Sequence, residues 1–197
     1  MKKILVLLLA VLIVCSLYTP SVCAAEFTDP VSAASAVLMD AETGKILFEY
    51  NADAALPPAS VTKVMTLLLV FEAIAEGKIA LSDMVSTSEH AASMGGTQIY
   101  LEPGEQMSVD ELIKSVVVSS ANDAATALAE FVCGSESSFV SKMNERAREL
   151  GMANTHFENT NGLDDTAENH VTSARDIAIM SRELIGHKTI LKYSGTW

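Results

Sequence analysis

The run from Pro57 to Gly77 constrains this chain more than any other stretch. Pro57-Pro58-Ala59-Ser60-Val61-Thr62-Lys63-Val64-Met65-Thr66 leads into Leu67, Leu68, Leu69, Val70, Phe71 and Ile74. A residue before proline avoids the α region, so the approach is extended and a helix is predicted from Ser60. Gly77 is the natural stop. Apolar side chains fall on nearly every side of this helix, so it must sit in the middle of a domain with other elements around it.

Two polar groups stand at the mouth of that helix. Ser60 lies in the predicted first turn, where free N–H groups and the positive dipole end favour a developing anion. Lys63 follows three residues later and shares its face. A serine beside an amine has the pattern of an activated nucleophile. The amine would need a pKa of roughly 7–8 instead of about 10.4, and burial without a nearby carboxylate could supply that shift. Ser-x-x-Lys alone is weak evidence, because it arises about once by chance in a chain of this length. The ordinary readings are a helix-capping serine and a snorkelling lysine.

Residues 1–24 have the form of a secretory signal peptide, with Lys2 and Lys3, an apolar run from Ile4 to Tyr18, and Val22-Cys23-Ala24 before the predicted cut. Export to the cell envelope, outside the cytoplasm, is the expected localisation. Processing would change the net charge from −12 to −14 and leave Cys133 as the last cysteine. No internal disulfide is then possible, and a chain so acidic suits neither nucleic acid nor an anionic membrane surface. No His/Cys cluster has zinc spacing, and no metal or other cofactor is expected. The remaining 173 residues suffice for one domain with a real core.

In order, the pattern predicts a β-hairpin (Ala36 to Met39 and Lys45 to Tyr50), the central helix, and an irregular or short helical stretch from Ser82 to Ser93. A turn at Met94 to Thr97, a short strand at Gln98 to Leu101 and a turn at Glu102 to Glu105 follow. Ser108-Val109-Asp110-Glu111 is a capping box for a helix through Val118. Further helices are predicted from Ala124 to Cys133, from Ser135 to Leu150, and from Thr172 to Ile185 with Thr172 as cap. Glu158 to Asn169 reads as a polar loop.

Ser120 and Asn122 form a second candidate site, at the junction of two helices. A hydroxyl and an amide there could relay a proton and hold a carbonyl; the plain alternative is that Ser119, Ser120 and Asn122 cap the second helix. His170 and Asp176 suggest no triad, and there is no Gly-x-Ser-x-Gly elbow.

Taken together, Pro-x-Ala-Ser60-x-Thr-Lys63-x-Met-Thr and Ser120-x-Asn122-Asp-Ala resemble the penicillin-recognising serine enzymes, and most closely the low-molecular-mass D-alanyl-D-alanine carboxypeptidases. Asp40-x-x-Thr-Gly44-x-Ile-Leu, Asn161-Gly162-Leu163-Asp164, His170 and Ala174-Arg175-Asp176 extend the likeness over roughly residues 33–197. The resemblance implies an α+β, β-lactamase/transpeptidase-like fold: a helical region plus an antiparallel sheet. Residues 25–197 would be a partial penicillin-binding D,D-peptidase domain. Ser60 would attack the carbonyl between the terminal D-alanines of a peptidoglycan stem peptide. Lys63 would accept its proton, and Ser120 and Asn122 would relay protons and position the substrate. β-Lactam antibiotics would acylate the same serine.

The sequence departs from the family pattern in one respect. It contains no Lys-Thr-Gly; His187-Lys188-Thr189-Ile190 lacks the glycine and comes too early. The family's strand bearing that motif also supplies an oxyanion N–H. The expectation is therefore a C-terminally truncated copy with impaired turnover, lacking the C-terminal sheet strands and any anchor through which it could associate with a membrane. A D,D-endopeptidase of the same fold and a non-catalytic peptidoglycan- or β-lactam-binding envelope protein are the alternative functions.

Overall fold

The predicted central helix is α1 (Lys63–Ala75), with Met65, Leu68, Leu69, Val70 and Ala73 fully buried. A computed structural model describes residues 31–163 and 169–196. The signal-peptide reading, Asp164 and Trp197 lie outside these residues. The α-helix starts three residues later than the sequence pattern suggests. Ala59–Thr62 form a 3₁₀ turn, with the Val61 N–H donating to the Pro58 carbonyl at 3.1 Å. Ala59, at the start of this turn, has a φ of 46°, in the left-handed region.

Strands β1 (Ala36–Met39) and β2 (Ile46–Tyr50) pair antiparallel as expected, Ala36 opposite Tyr50 and Leu38 opposite Phe48. In the connection, the Thr43 N–H donates to the Asp40 carboxylate and Gly44, at φ 74°, donates to the Asp40 carbonyl. The hairpin lies along α6 (Ala174–Gly186). Arg182 donates to the Ala41 and Glu42 carbonyls, and Arg175 reaches Glu49 and Asp53. Leu38, Leu47 and Tyr50 remain exposed on it.

A second sheet was not evident from the sequence. β3 (Met84–Ser86) pairs antiparallel with β4 (Gln106–Ser108), enclosing the short α2 (Glu89–Ala92). Gln98 to Leu101, predicted as a strand, forms no ladder. Tyr100 adopts φ 62°, and the N–H groups of Ile99 and Leu101 donate to the buried Asp123 carboxylate instead.

Of the remaining helices among the described residues, three pack directly on α1. The capping box opens α3 (Val109–Ser119): the Ser108 N–H meets Glu111 at 2.9 Å and the Glu111 N–H meets the Ser108 hydroxyl at 3.3 Å. α4 (Asn122–Cys133) ends at Gly134. α5 (Glu136–Glu149) buries Phe139, Met143 and Ala147 along one stripe, the i, i+4, i+8 spacing read from the sequence. The cap of α6 is Ser173, whose hydroxyl accepts from the Asp176 N–H; the expected cap, Thr172, instead pairs its backbone with Leu56. A last short helix, α7 (Ile190–Ser194), packs Tyr193 near Phe71 and bonds its hydroxyl to Asp110. α1 is packed against α4, α5 and α6.

Candidate active site

Ser60 is the second residue of the 3₁₀ turn and is exposed. The turn rests on Gly162, which has φ 83°. A Cβ on Gly162 would lie 1.8 Å from the Ala59 carbonyl oxygen and 2.9 Å from the Thr62 hydroxyl. Only a glycine allows the 159–163 loop this close to the backbone that presents Ser60. Behind the turn, the Glu158 N–H donates to His170 Nδ1 at 3.0 Å, which puts the imidazole proton on Nε2, where it meets the Thr62 hydroxyl at 2.7 Å. His170 is thus a pin for the turn. Asp176 is engaged with Asn154 and Thr155, so the two form no triad.

Lys63 is the first residue of α1 and is 3% exposed. Its Nζ lies 3.1 Å from Ser60 Oγ and 2.8 Å from the Asn161 carbonyl oxygen. No ion pair to Lys63 occurs among the described residues. Burial, with no carboxylate beside the amine, pulls its pKa from 10.5 down to about 8. At neutral pH about a tenth of the amines are uncharged. Such an amine lies within hydrogen-bond reach of a serine hydroxyl.

Asn122 lies across the cleft at the first turn of α4. Its backbone N–H donates to the Thr97 carbonyl at 2.7 Å and its side-chain amide to the Gly95 carbonyl at 2.8 Å. The cap of α4 is Ala121, without a side-chain bond, so the helix-capping reading of Ser119, Ser120 and Asn122 does not apply. Ser120 ends α3 in the left-handed conformation, φ 56° and ψ 34°. Among the described residues its hydroxyl bonds to neither Ser60 nor Lys63, and it does not line the cleft.

A cavity of about 300 Å³ opens between these elements, lined by Ser60, Gly96, Thr97, Asn122, Asn161 and Leu163 among others. Two larger cavities, each of about 420 Å³, lie elsewhere, one around Glu72, Lys142 and Arg146 and one around Asn144, His156 and Phe157. Neither contains a nucleophile paired with a base. His187 to Ile190 joins α6 to α7 and is not among the residues that line the Ser60 cavity.

Sequence reasoning missed the partners that orient this site. Asn161 appeared only as part of a supporting stretch, yet its carbonyl holds the lysine. Asn159 accepts from the N–H groups of Asn161 and Gly162. The available signal was a loop dense in Asn and Thr ending in Asn-Gly, a composition that bonds its own backbone.

The cleft thus brings together a serine hydroxyl, a buried amine without a carboxylate partner and a side-chain amide. The family profile described as D-alanyl-D-alanine carboxypeptidase matches residues 22–197, and the chain belongs to that peptidase family. It is 54% identical over 165 residues to D-alanyl-D-alanine carboxypeptidase DacF of Bacillus subtilis, covering 84% of this chain and 42% of the relative. The structure of D-alanyl-D-alanine carboxypeptidase DacD from Francisella tularensis superposes with a TM-score of 0.80 at 38% identity, covering 84% of this chain and 40% of that one. Penicillin-Binding Protein D2 from Listeria monocytogenes, solved in an ampicillin-bound form, gives a TM-score of 0.70 at 31% identity over 80% of this chain and 63% of that one. The fold is therefore α+β and of the penicillin-binding, transpeptidase-like type. The chain spans less than half the length of the curated relatives it matches.

Proposed function

We propose that the protein is a serine-type D-Ala-D-Ala carboxypeptidase acting on peptidoglycan stem peptides, with β-lactams as acylating inhibitors. The observation that carries this reading is the 3.1 Å approach of the buried Lys63 amine to the Ser60 hydroxyl. Neutral Lys63 takes the Ser60 proton as Oγ bonds to the carbonyl carbon between the two D-alanines. The tetrahedral intermediate then collapses, the peptide C–N bond breaks, and the terminal D-alanine leaves with a proton delivered to its amine. Water hydrolyses the resulting ester and restores Ser60. Asn122 holds the substrate backbone at the cleft, and a relay of the proton toward the leaving amine by Ser120 requires its hydroxyl to turn into the cleft, which it does not line here. The Ser60 N–H, at the start of the helical segment, provides one oxyanion donor. Residues 25–197 contain no Lys-Thr-Gly, so the proposal assigns full turnover to a polypeptide that also carries such a strand.

The test is penicillin labelling followed by peptide mapping, on protein that includes a Lys-Thr-Gly strand. The label is expected on Ser60 alone and should be absent from Ser60→Ala. Label on Ser120, or on the alanine variant, would overturn the assignment. Export is part of the same proposal: N-terminal sequencing of the secreted protein should begin at Ala25 or Glu26, and a start at Met1 would contradict it.

Ser120 offers a separate check. A non-glycine residue in the left-handed region costs roughly 1 kcal/mol or more. Ser120→Gly should relieve this strain, so the melting temperature should hold or rise while acylation falls by roughly 10² or more, the general scale of a lost proton-transfer group. Undiminished acylation would remove Ser120 from the relay.

A further inference from the structure

The carbonyl that holds Lys63 belongs to a loop with no sheet ladder, so something else must fix its direction. Glu136, the first residue of α5, does so from outside the cleft. Its Oε1 accepts from the Thr160 N–H at 3.0 Å and from the Thr160 hydroxyl at 2.7 Å. Its Oε2 lies 2.6 Å from His90 Nε2, on α2. Thr160 is fully buried, and its carbonyl accepts from the Thr66 hydroxyl of α1 at 2.6 Å.

A carboxylate accepts only, so it gives the neighbouring hydroxyls a direction. The Thr160 proton is committed to Glu136. The contact between the Thr126 and Thr160 hydroxyls, 3.2 Å, must then be donated by Thr126. That leaves Thr126 Oγ1 as acceptor for the Asn161 side-chain amide at 3.4 Å, while Asn161 Oδ1 takes the Leu163 N–H at 2.9 Å. The chain runs from Asn161 through Thr126 and Thr160 to Glu136. One carboxylate orients both the peptide that meets Lys63 and the amide that lines the cleft. We infer that Glu136 is a positioning residue for the Ser60–Lys63 pair, acting through Thr160 and Asn161; for its consequence in acylation, this rests on the acyl-transfer reading above.

The experiment has two readouts. Side-chain NMR of ¹³C-lysine-labelled protein follows Lys63 titration directly, its signal identified by loss in Lys63→Met. Acylation by a fluorescent penicillin, normalised to folded protein, follows the chemistry. Glu136→Ala should lower acylation by about tenfold or more. It should also move the Lys63 titration to lower pH, because the carbonyl that favours the ammonium is no longer held in place. Glu136→Asp, which withdraws the carboxylate by one methylene, should act in the same direction and carries the test if the alanine variant does not fold. Glu136→Gln keeps an acceptor for Thr160 and should stay within about threefold of the parent. Glu149→Ala, on the exposed side of α5, should change neither readout. A folded Glu136→Ala or Glu136→Asp whose Lys63 titration stays put or rises overturns the inference, even if its melting temperature falls. If the titration responds but the parent protein is never acylated, the positioning role stands and the acyl-transfer reading fails.

Discussion

Lys63→Arg is expected to lower acylation of Ser60 by roughly 10²–10⁴-fold, the usual contribution of a positioned base. Arginine keeps the positive charge and the reach but does not deprotonate in proteins, so no lone pair faces the hydroxyl. The parent protein should show the complementary pH profile. Burial lowers the Lys63 pKa to about 8, so the acylation rate should climb nearly tenfold per pH unit below that value and level off above it. Stability should follow the same group. The folded protein binds this proton less tightly than the unfolded chain, so the penalty is fully present below about 8 and is relieved as pH rises toward 10.5. Lys63→Met should therefore be more stable than the parent at neutral pH, and the advantage should shrink in alkali. Rapid-mixing rates and denaturant titrations across that range check both statements. A flat rate profile, or near-normal acylation by the arginine variant, would remove Lys63 from the base role.

Gly162→Ala should be nearly as damaging, although the residue carries no functional group. Its φ of 83° suits an L side chain poorly, and the added methyl would lie 1.8 Å from the Ala59 carbonyl oxygen. That neighbour is backbone and cannot rotate away. Left-handed strain of roughly 1–2 kcal/mol adds to an overpacking cost of about 1–3 kcal/mol. The cheapest relief is for the Ala59–Thr62 turn to move, which carries Ser60 away from Lys63. A displacement of that size at a reacting atom costs about 10² in rate. The variant should melt several degrees lower, and its folded fraction should acylate slowly. Normal acylation kinetics would mean that the loop can retreat without disturbing the turn.

The parts of this protein governed by local rules were legible in the sequence. The hairpin, the capping box at Ser108, the stripe on α5 and the burial of α1 each follow from a pattern confined to one element. Ser60 and Lys63 stand out because three residues of helix bring them together. What was not legible depends on distant chain segments. The Asn161 carbonyl meets Lys63 across 98 residues of sequence, and nothing in Asn-Gly alone names that partner. Gln98 to Leu101 has the alternation of a strand, yet its amides bond to Asp123. β3 and β4 are three residues each, too short for alternation to register. Thr172 and Ser173 are equally good caps by type, and the pairing of Thr172 with Leu56 decided between them.

The attachment at Asp123 also bears on how this site can diversify. The segment that runs from the cleft wall at Thr97 out to Leu101 is held by Asn122 and Asp123 at the root of α4 and not by a ladder of paired strands. A ladder ties every residue to its register, so an insertion or a change of shape spreads along the sheet. A loop held by two adjacent residues of one helix end has no register to keep. Tyr100, 77% exposed between the two anchored amides, puts its side chain outside the core, so it can be exchanged for other residues that tolerate its left-handed φ of 62°, glycine and asparagine first. Selection can therefore reshape this loop next to the cleft while Ser60 and Lys63, held by α1 and the 159–163 loop, stay where they are.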